Sequence, residues 1–147
     1  MNNAYIVAGF RSAVGKAGRG GFRFTRPDDL AADVIKHLLA SVPSLDPERV
    51  DDLIVGNAVP EAEQGLNVAR IASLRAGLPI EASAVTVNRF CSSGLQAIAY
   101  AAEHINECAL VVVEDAIPDF GVEYESLEAG TGAGKEWAGV TLLRGQI

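Results

Sequence analysis

One cysteine stands where two different kinds of sequence meet. Cys91 lies in Val87-Asn-Arg-Phe-Cys91-Ser-Ser-Gly-Leu-Gln96, after the apolar run Ala84-Val-Thr-Val-Asn88 and before a charge-poor, Ala- and Leu-rich run from Ser92 to Ile105. The first run predicts a strand and the second a helix that is buried because it is apolar all round, so the thiol falls at a helix amino terminus. The first amides of a helix lack an intrahelical acceptor, and the helix dipole adds partial positive charge there. Both favour the thiolate, the nucleophilic form of cysteine. Ser92, Ser93 and Gly94 are small enough to let a substrate approach, and Gly94 also admits a neighbouring backbone. The chemistry this suits is covalent catalysis by an activated thiol. The same residue types also suit a small, inert core cysteine, because free Cys is among the most buried residue types.

Other chemistry-bearing residues are weaker candidates. His37 lies in an amphipathic helical pattern, and His104 lies near the end of the helix that follows Cys91. Thirteen helical residues separate His104 from Cys91 by about 20 Å, whereas a general base must come within about 3 Å. Both histidines are expected to be structural or solvent-exposed. Cys108 is expected to be a buried or loop thiol, and two cysteines without CxxC or His-rich spacing make neither a metal site nor a disulfide framework. Gly130-Thr-Gly-Ala-Gly-Lys135-Glu136 resembles a phosphate loop, but Ala129 and Glu136 stand where a Gly and a Ser or Thr are needed, so a flexible acidic loop is expected. Residues 11–26 carry Arg11, Lys16, Arg19, Arg23 and Arg26, four glycines and no acid. They read as a solvated loop, with contact to phosphates or an acidic partner as the rival reading.

The elements that must position Cys91 alternate between strand and helix. Tyr5-Ile-Val-Ala-Gly9 predicts a buried strand, residues 28–40 an amphipathic helix opened by Pro27-Asp28-Asp29, and Leu53-Ile-Val55 a second buried strand. Asp46-Pro47-Glu48 marks a short helix start. Residues 66–76 predict a helix stopped at Gly77-Leu-Pro79, and Ala109 to Val113 a fourth strand. Continuous apolar strands between helices predict an α/β fold, with a mostly parallel mixed sheet of four or five strands covered by helices on both faces. The pattern fails near Ile117, so two segments are expected: an α/β unit over 1–116 and an acidic, Gly-rich tail over 117–147. Within the tail, Trp137 to Leu143 is one more candidate strand.

Composition narrows the function classes. The 147 residues are 49% hydrophobic and 21% charged, a globular balance. Residues 1–100 carry ten basic and ten acidic side chains, while residues 101–147 carry two basic and nine acidic ones, so the whole net charge of −7 lies in the last third. That argues against nucleic acid as a partner. The apolar runs are too short to span a bilayer, and Met1-Asn-Asn-Ala shows no secretory or transit signal. A cytoplasmic protein with reduced thiols is expected.

Asn88-Arg-Phe-Cys-Ser-Ser-Gly-Leu-Gln96 resembles the nucleophile motif of the thiolases, in the form typical of degradative 3-ketoacyl-CoA thiolases. Ala4-Tyr-Ile-Val-Ala-Gly-Phe-Arg11 with Val14-Gly-Lys16 is similar to the family's opening strand and turn, with Ser12-Ala13 in place of Thr-Pro. Arg26-Pro-Asp-Asp-Leu30, Gly56-Asn57 and Gln64-Gly-Leu-Asn-Val-Ala-Arg70 match as well, so the similarity runs over roughly 1–113. The resemblance implies that Cys91 attacks a 3-ketoacyl-CoA and becomes acylated, with coenzyme A as a substrate and no permanently bound cofactor or metal. It also implies a homo-oligomer, dimer or higher, paired through the strand near Ala84–Asn88. A full thiolase has a second half that supplies an Asn-Glu-Ala-Phe-type segment, a Gly-His-Pro histidine and a Cys-x-Gly cysteine. None of these occurs in the 147 residues; Asn106-Glu-Cys108 lies in the wrong place for the first. Glu114-Asp-Ala-Ile-Pro118 replaces the expected Gly-rich turn, and a truncation, a frame change or a fusion each fit that departure. Impaired turnover is therefore expected. The rival reading is a non-catalytic thiolase remnant that serves as a dimerisation or interaction module. Redox pairing of Cys91 with Cys108 finds no support in their spacing.

Overall fold

The computed structural model describes residues 4–16 and 18–105, together with the backbone of two further strands at 110–117 and 135–144. In chain order the elements are β1 (Tyr5–Arg11), β2 (Gly15–Lys16), α1 (Pro27–Ala40), β3 (Asp52–Asn57), α2 (Val68–Ala76), β4 (Ser83–Val87), α3 (Ser93–His104), β5 (Leu110–Ile117) and β6 (Lys135–Arg144). Short 3-10 turns cover Pro47–Arg49 and Ala62–Gln64. Among the described residues, no helix is long and apolar enough to cross a membrane.

The sheet is six-stranded, in the order β1-β6-β5-β3-β4, with β2 also paired to β6. β3 runs parallel to both β4 and β5, whereas β6 runs antiparallel to β1, β2 and β5. The expectation of a mostly parallel sheet of four or five strands is thus corrected to a six-stranded mixed sheet with two parallel and three antiparallel pairings. The cause is β6, which enters between β1 and β5 in the reverse direction. It comes from residues read as part of the acidic tail.

β3 is the hinge of the architecture. All six of its residues are buried, and its alternation sends them to opposite faces. Leu53 and Val55 join α1 and α2 in one core, with Ala31, Ile35, Leu38, Ala69 and Ala72. Ile54 joins Ala97, Ala101 and Ile105 of the α3 side in a second core. The two helix layers follow from handedness. The β3–α2–β4 and β4–α3–β5 crossovers step in opposite directions across the sheet, so right-handed connections place α2 and α3 on opposite faces.

Two expectations about burial are corrected. β1 reads as a buried strand, yet Tyr5, Ile6, Val7 and Phe10 are between 38% and 66% exposed, because β1 lies at the edge of the sheet. α3 reads as buried all round, yet Leu95 is 73% exposed and Tyr100 42%. Only the Ala97–Ala101 face rests on the sheet.

Polar ties fix the elements around these cores. Arg26 at the start of α1 grips the buried Asp28 through paired hydrogen bonds of 3.0 and 3.1 Å and reaches Glu63 at 2.8 Å. Arg75 of α2 pairs with Asp29. Hydrogen bonding to Asp28 raises the Arg26 pKa and hydrogen bonding to Asp29 raises that of Arg75, so both remain cationic throughout the range in which a fold survives. Thr86 of β4 accepts the Ala69 amide at 3.1 Å and donates to Asn67 at 2.8 Å. It thereby caps α2 from seventeen residues away.

The tightest packing lies between β3 and α3. A Cβ on Gly56 would stand 2.6 Å from both the Gly94 nitrogen and the Ser93 carbonyl carbon, a separation that backbone atoms cannot tolerate. We expect Gly56→Ala to lower the unfolding free energy by about 1–3 kcal/mol, the usual cost of overpacking a core, read as a lower urea midpoint at unchanged m-value.

Candidate active site

The parallel strands β3 and β4 send their chains to opposite faces at their carboxyl ends, β3 into α2 and β4 into α3. In open α/β sheets this arrangement leaves a crevice where ligands bind. Residues 88–92, the turn from β4 into α3, occupy that end of the sheet.

Cys91 is exposed and carries a free thiol. The buried core position that the sequence also allowed is therefore not what forms. Ahead of it, Phe90 has φ +49°, a left-handed backbone conformation for a residue with a side chain. Such a residue costs about 1–2 kcal/mol. Its ring is 75% exposed, so burial of the side chain does not supply that energy. Hydrogen bonds to the backbone supply it instead. Asn88 Oδ1 accepts the Phe90 amide at 2.9 Å. The Ser93 hydroxyl donates to the Phe90 carbonyl at 2.6 Å and accepts the Arg89 amide at 2.9 Å. The Ser93 amide adds a bond to the same carbonyl at 3.0 Å. At about 0.5–1.5 kcal/mol each, these four bonds together outweigh the strain.

Ser93 is 1% exposed and sits in the first turn of α3, directly over Gly56. Its burial makes both hydrogen bonds costly to lose, because no water replaces them. On the outer side of the turn, Arg89 donates to the Gln96 side chain and ties the strand end to the next turn of the helix.

The helix amino terminus differs in detail from the simple expectation. The Ser92 and Ser93 amides are committed to the Arg89 and Phe90 carbonyls at 3.1 and 3.0 Å. They close the turn and are not free for an anion.

The two histidines are held elsewhere. The His37 ring meets the Phe10 ring edge-on, with centroids 4.8 Å apart. His104 Nδ1 lies 3.3 Å from Asp52 Oδ2, and Asp52 also accepts the Ser83 hydroxyl at 2.7 Å. Asp52 begins β3 and His104 ends α3, so this cluster marks the far end of the sheet from Cys91. Among the described residues, no group of three or more His, Cys, Asp or Glu is placed to hold a metal. In the basic loop, the Arg23 guanidinium lies 4.6 Å from the Phe24 ring centroid. Cys108 and the Gly130–Gly134 run lie outside the described residues.

Reading by residue type alone values Ser93 only for its size and Asn88 not at all. The available signals were local: an Asn two residues before a strained position and a Ser three residues after it, both spacings at which short polar side chains reach the backbone.

Residues 4–115 match the family model described as thiolase, N-terminal domain. The chain belongs to the thiolase family. It is 54% identical over 105 residues to a 3-ketoacyl-CoA thiolase of Bacillus subtilis, covering 71% of this chain and 27% of that protein. It is 47% identical over 98 residues to a 3-ketoacyl-CoA thiolase of Vibrio vulnificus, covering 67% and 25%. One from Vibrio cholerae is 46% identical over 105 residues, covering 71% and 27%. The chain thus spans about a quarter of the length of the curated relatives it matches.

Because both rings are engaged away from the turn, His37→Gln and His104→Gln are each expected to leave the iodoacetamide rate at Cys91 unchanged, read by peptide mass spectrometry of the folded chain. A large fall in either variant would place that ring beside the thiol.

Proposed function

We propose that the chain forms the acyl-accepting part of a thiolase-type acyltransferase, with Cys91 as the nucleophile. The observation that carries this reading is the exposed Cys91 thiol on a hydrogen-bonded strand-to-helix turn, inside the segment that belongs to the thiolase family. The substrate class, from the names of the relatives, is a 3-ketoacyl-CoA.

In this chemistry the Cys91 thiolate attacks the keto carbon and forms a thioester. The carbon–carbon bond breaks, and the departing two-carbon carbanion takes up a proton to become acetyl-CoA. A second coenzyme A, as thiolate, attacks the acyl-cysteine, releases the shortened acyl-CoA and restores Cys91. The reaction needs no permanent cofactor and belongs to fatty-acid β-oxidation. A reducing, cytoplasmic setting suits a step that runs through a free thiol. His37 and His104 are engaged away from the Cys91 turn, with Phe10 and Asp52, so neither is the proposed base.

Incubation of the chain with acetoacetyl-CoA or acetyl-CoA is expected to leave an acyl group on Cys91 and none on Cys91→Ala, read by intact and peptide mass. Absence of acylation on the folded chain would sink the proposal. Steady turnover by the chain alone is expected to fall well below the roughly 1–1000 s⁻¹ of ordinary enzymes. A normal rate would show that the base is already present.

Self-association accompanies this reading. Among the described residues β4 is an edge strand, and Val85 on it is 41% exposed. An unpaired edge is a ready template for a second strand. We expect the chain to elute as a dimer in size-exclusion chromatography and Val85→Lys to elute as a monomer.

A further inference from the structure

We propose that Ser93, helped by Asn88, is the positioning device for Cys91: its buried hydroxyl locks Phe90 at positive φ and so fixes where the thiol stands. This rests on the reading of Cys91 as the nucleophile, but the device itself is a property of the turn.

The peptide groups on either side of Phe90 are held by three hydrogen bonds, and a fourth holds the peptide before them. Asn88 Oδ1 holds the Phe90 amide, the Ser93 hydroxyl and amide hold the Phe90 carbonyl, and the Arg89 amide donates back to the same hydroxyl. The Phe90 carbonyl belongs to the peptide bond whose nitrogen is that of Cys91. Fixing this plane fixes the direction in which the Cys91 side chain leaves the backbone, since the remaining freedom is one backbone angle and χ1. Phe90 does not hold itself in place, because its ring is 75% exposed. Ser93 is anchored in turn by its burial at 1% exposure and by the close contact of its carbonyl carbon with Gly56 of β3. A line of support therefore runs from the central strand through one hydroxyl to the thiol. Without the hydroxyl, an L-residue at position 90 relaxes toward negative φ, and that relaxation swings the following residue.

The role predicts an interaction between two positions that a packing role alone does not. In the 147-residue chain, Ser93→Ala is expected to change the iodoacetamide rate at Cys91 by about fivefold or more, the size expected for residues coupled through one backbone shift. Glycine has no penalty at positive φ, so Phe90→Gly removes what Ser93 restrains. In that background, Ser93→Ala is expected to move the Cys91 rate by less than about twofold. Asn88→Ala is expected to act in the same direction as Ser93→Ala, and Asn88→Asp, which keeps the acceptor oxygen, to restore the rate. Circular dichroism and urea unfolding of each variant identify those that fold, and the Asn88 pair decides the matter if Ser93→Ala does not. Equal effects of Ser93→Ala with Phe or Gly at position 90 would overturn the proposal. So would a folded Asn88→Ala that alkylates at the wild-type rate. Because the readout is alkylation and not acyl transfer, a working clamp in a chain that accepts no acyl group would count against the proposed function alone.

Discussion

The backbone of α3 approaches β3 more closely than any side chain would permit. Gly56 and Gly94 face each other with room for no Cβ on Gly56, and this contact sets the height of the helix above the sheet. Ser93 is buried because of it, and a buried hydroxyl must be hydrogen-bonded. The acceptor and the donor it finds are the carbonyl of Phe90 and the amide of Arg89. A packing requirement in the middle of the sheet thus becomes a geometric requirement on the turn that presents Cys91.

Around that turn, restraint is set against strain. One left-handed residue, at about 1–2 kcal/mol, is set against a few backbone hydrogen bonds of about 0.5–1.5 kcal/mol each. The four bonds together outweigh the strain, and the conformation holds while they are intact. Strained backbone of this kind concentrates at functional sites because the neighbours must over-determine it. Placing the strain at Phe90 leaves Cys91 itself exposed and unencumbered.

The remainder of the fold holds the strand before the turn along its length. Thr86 and Asn67 tie β4 to α2 near the turn, and at the start of β4 Arg70 donates to the carbonyls of Ala82 and Ile80 at 2.7 Å each. Asp52 holds Ser83 and His104 at the opposite end. The strand before the turn and the helix after it are therefore fixed at both ends, and the cores on the two faces share β3 between them.

Much of this was legible in the residues. Helices at 27–40 and 93–104 and the strand over Asp52–Asn57 follow from local apolar periodicity, which reports burial on one face or both. The Cys91 motif and the thiolase family could be read directly, because nucleophile, small neighbours and flanking elements are contiguous in sequence. Three things were decided only in three dimensions. β6 pairs with β1 through partners more than a hundred residues away and with β5 through partners twenty to thirty-four away, and strand order is invisible to local pattern. Exposure of β1 and of the Leu95 side of α3 depends on which elements lie beside them, while apolar composition says only that a side chain could be buried. Finally, Ser93 gained its two partners because Gly56, thirty-seven residues earlier, brings the helix down onto β3. The sequence by itself determined which residues could do chemistry and what local shapes they prefer. The tertiary structure decided how one hydroxyl is buried and what it must hold, because hydrogen-bond demand arises only when water is excluded.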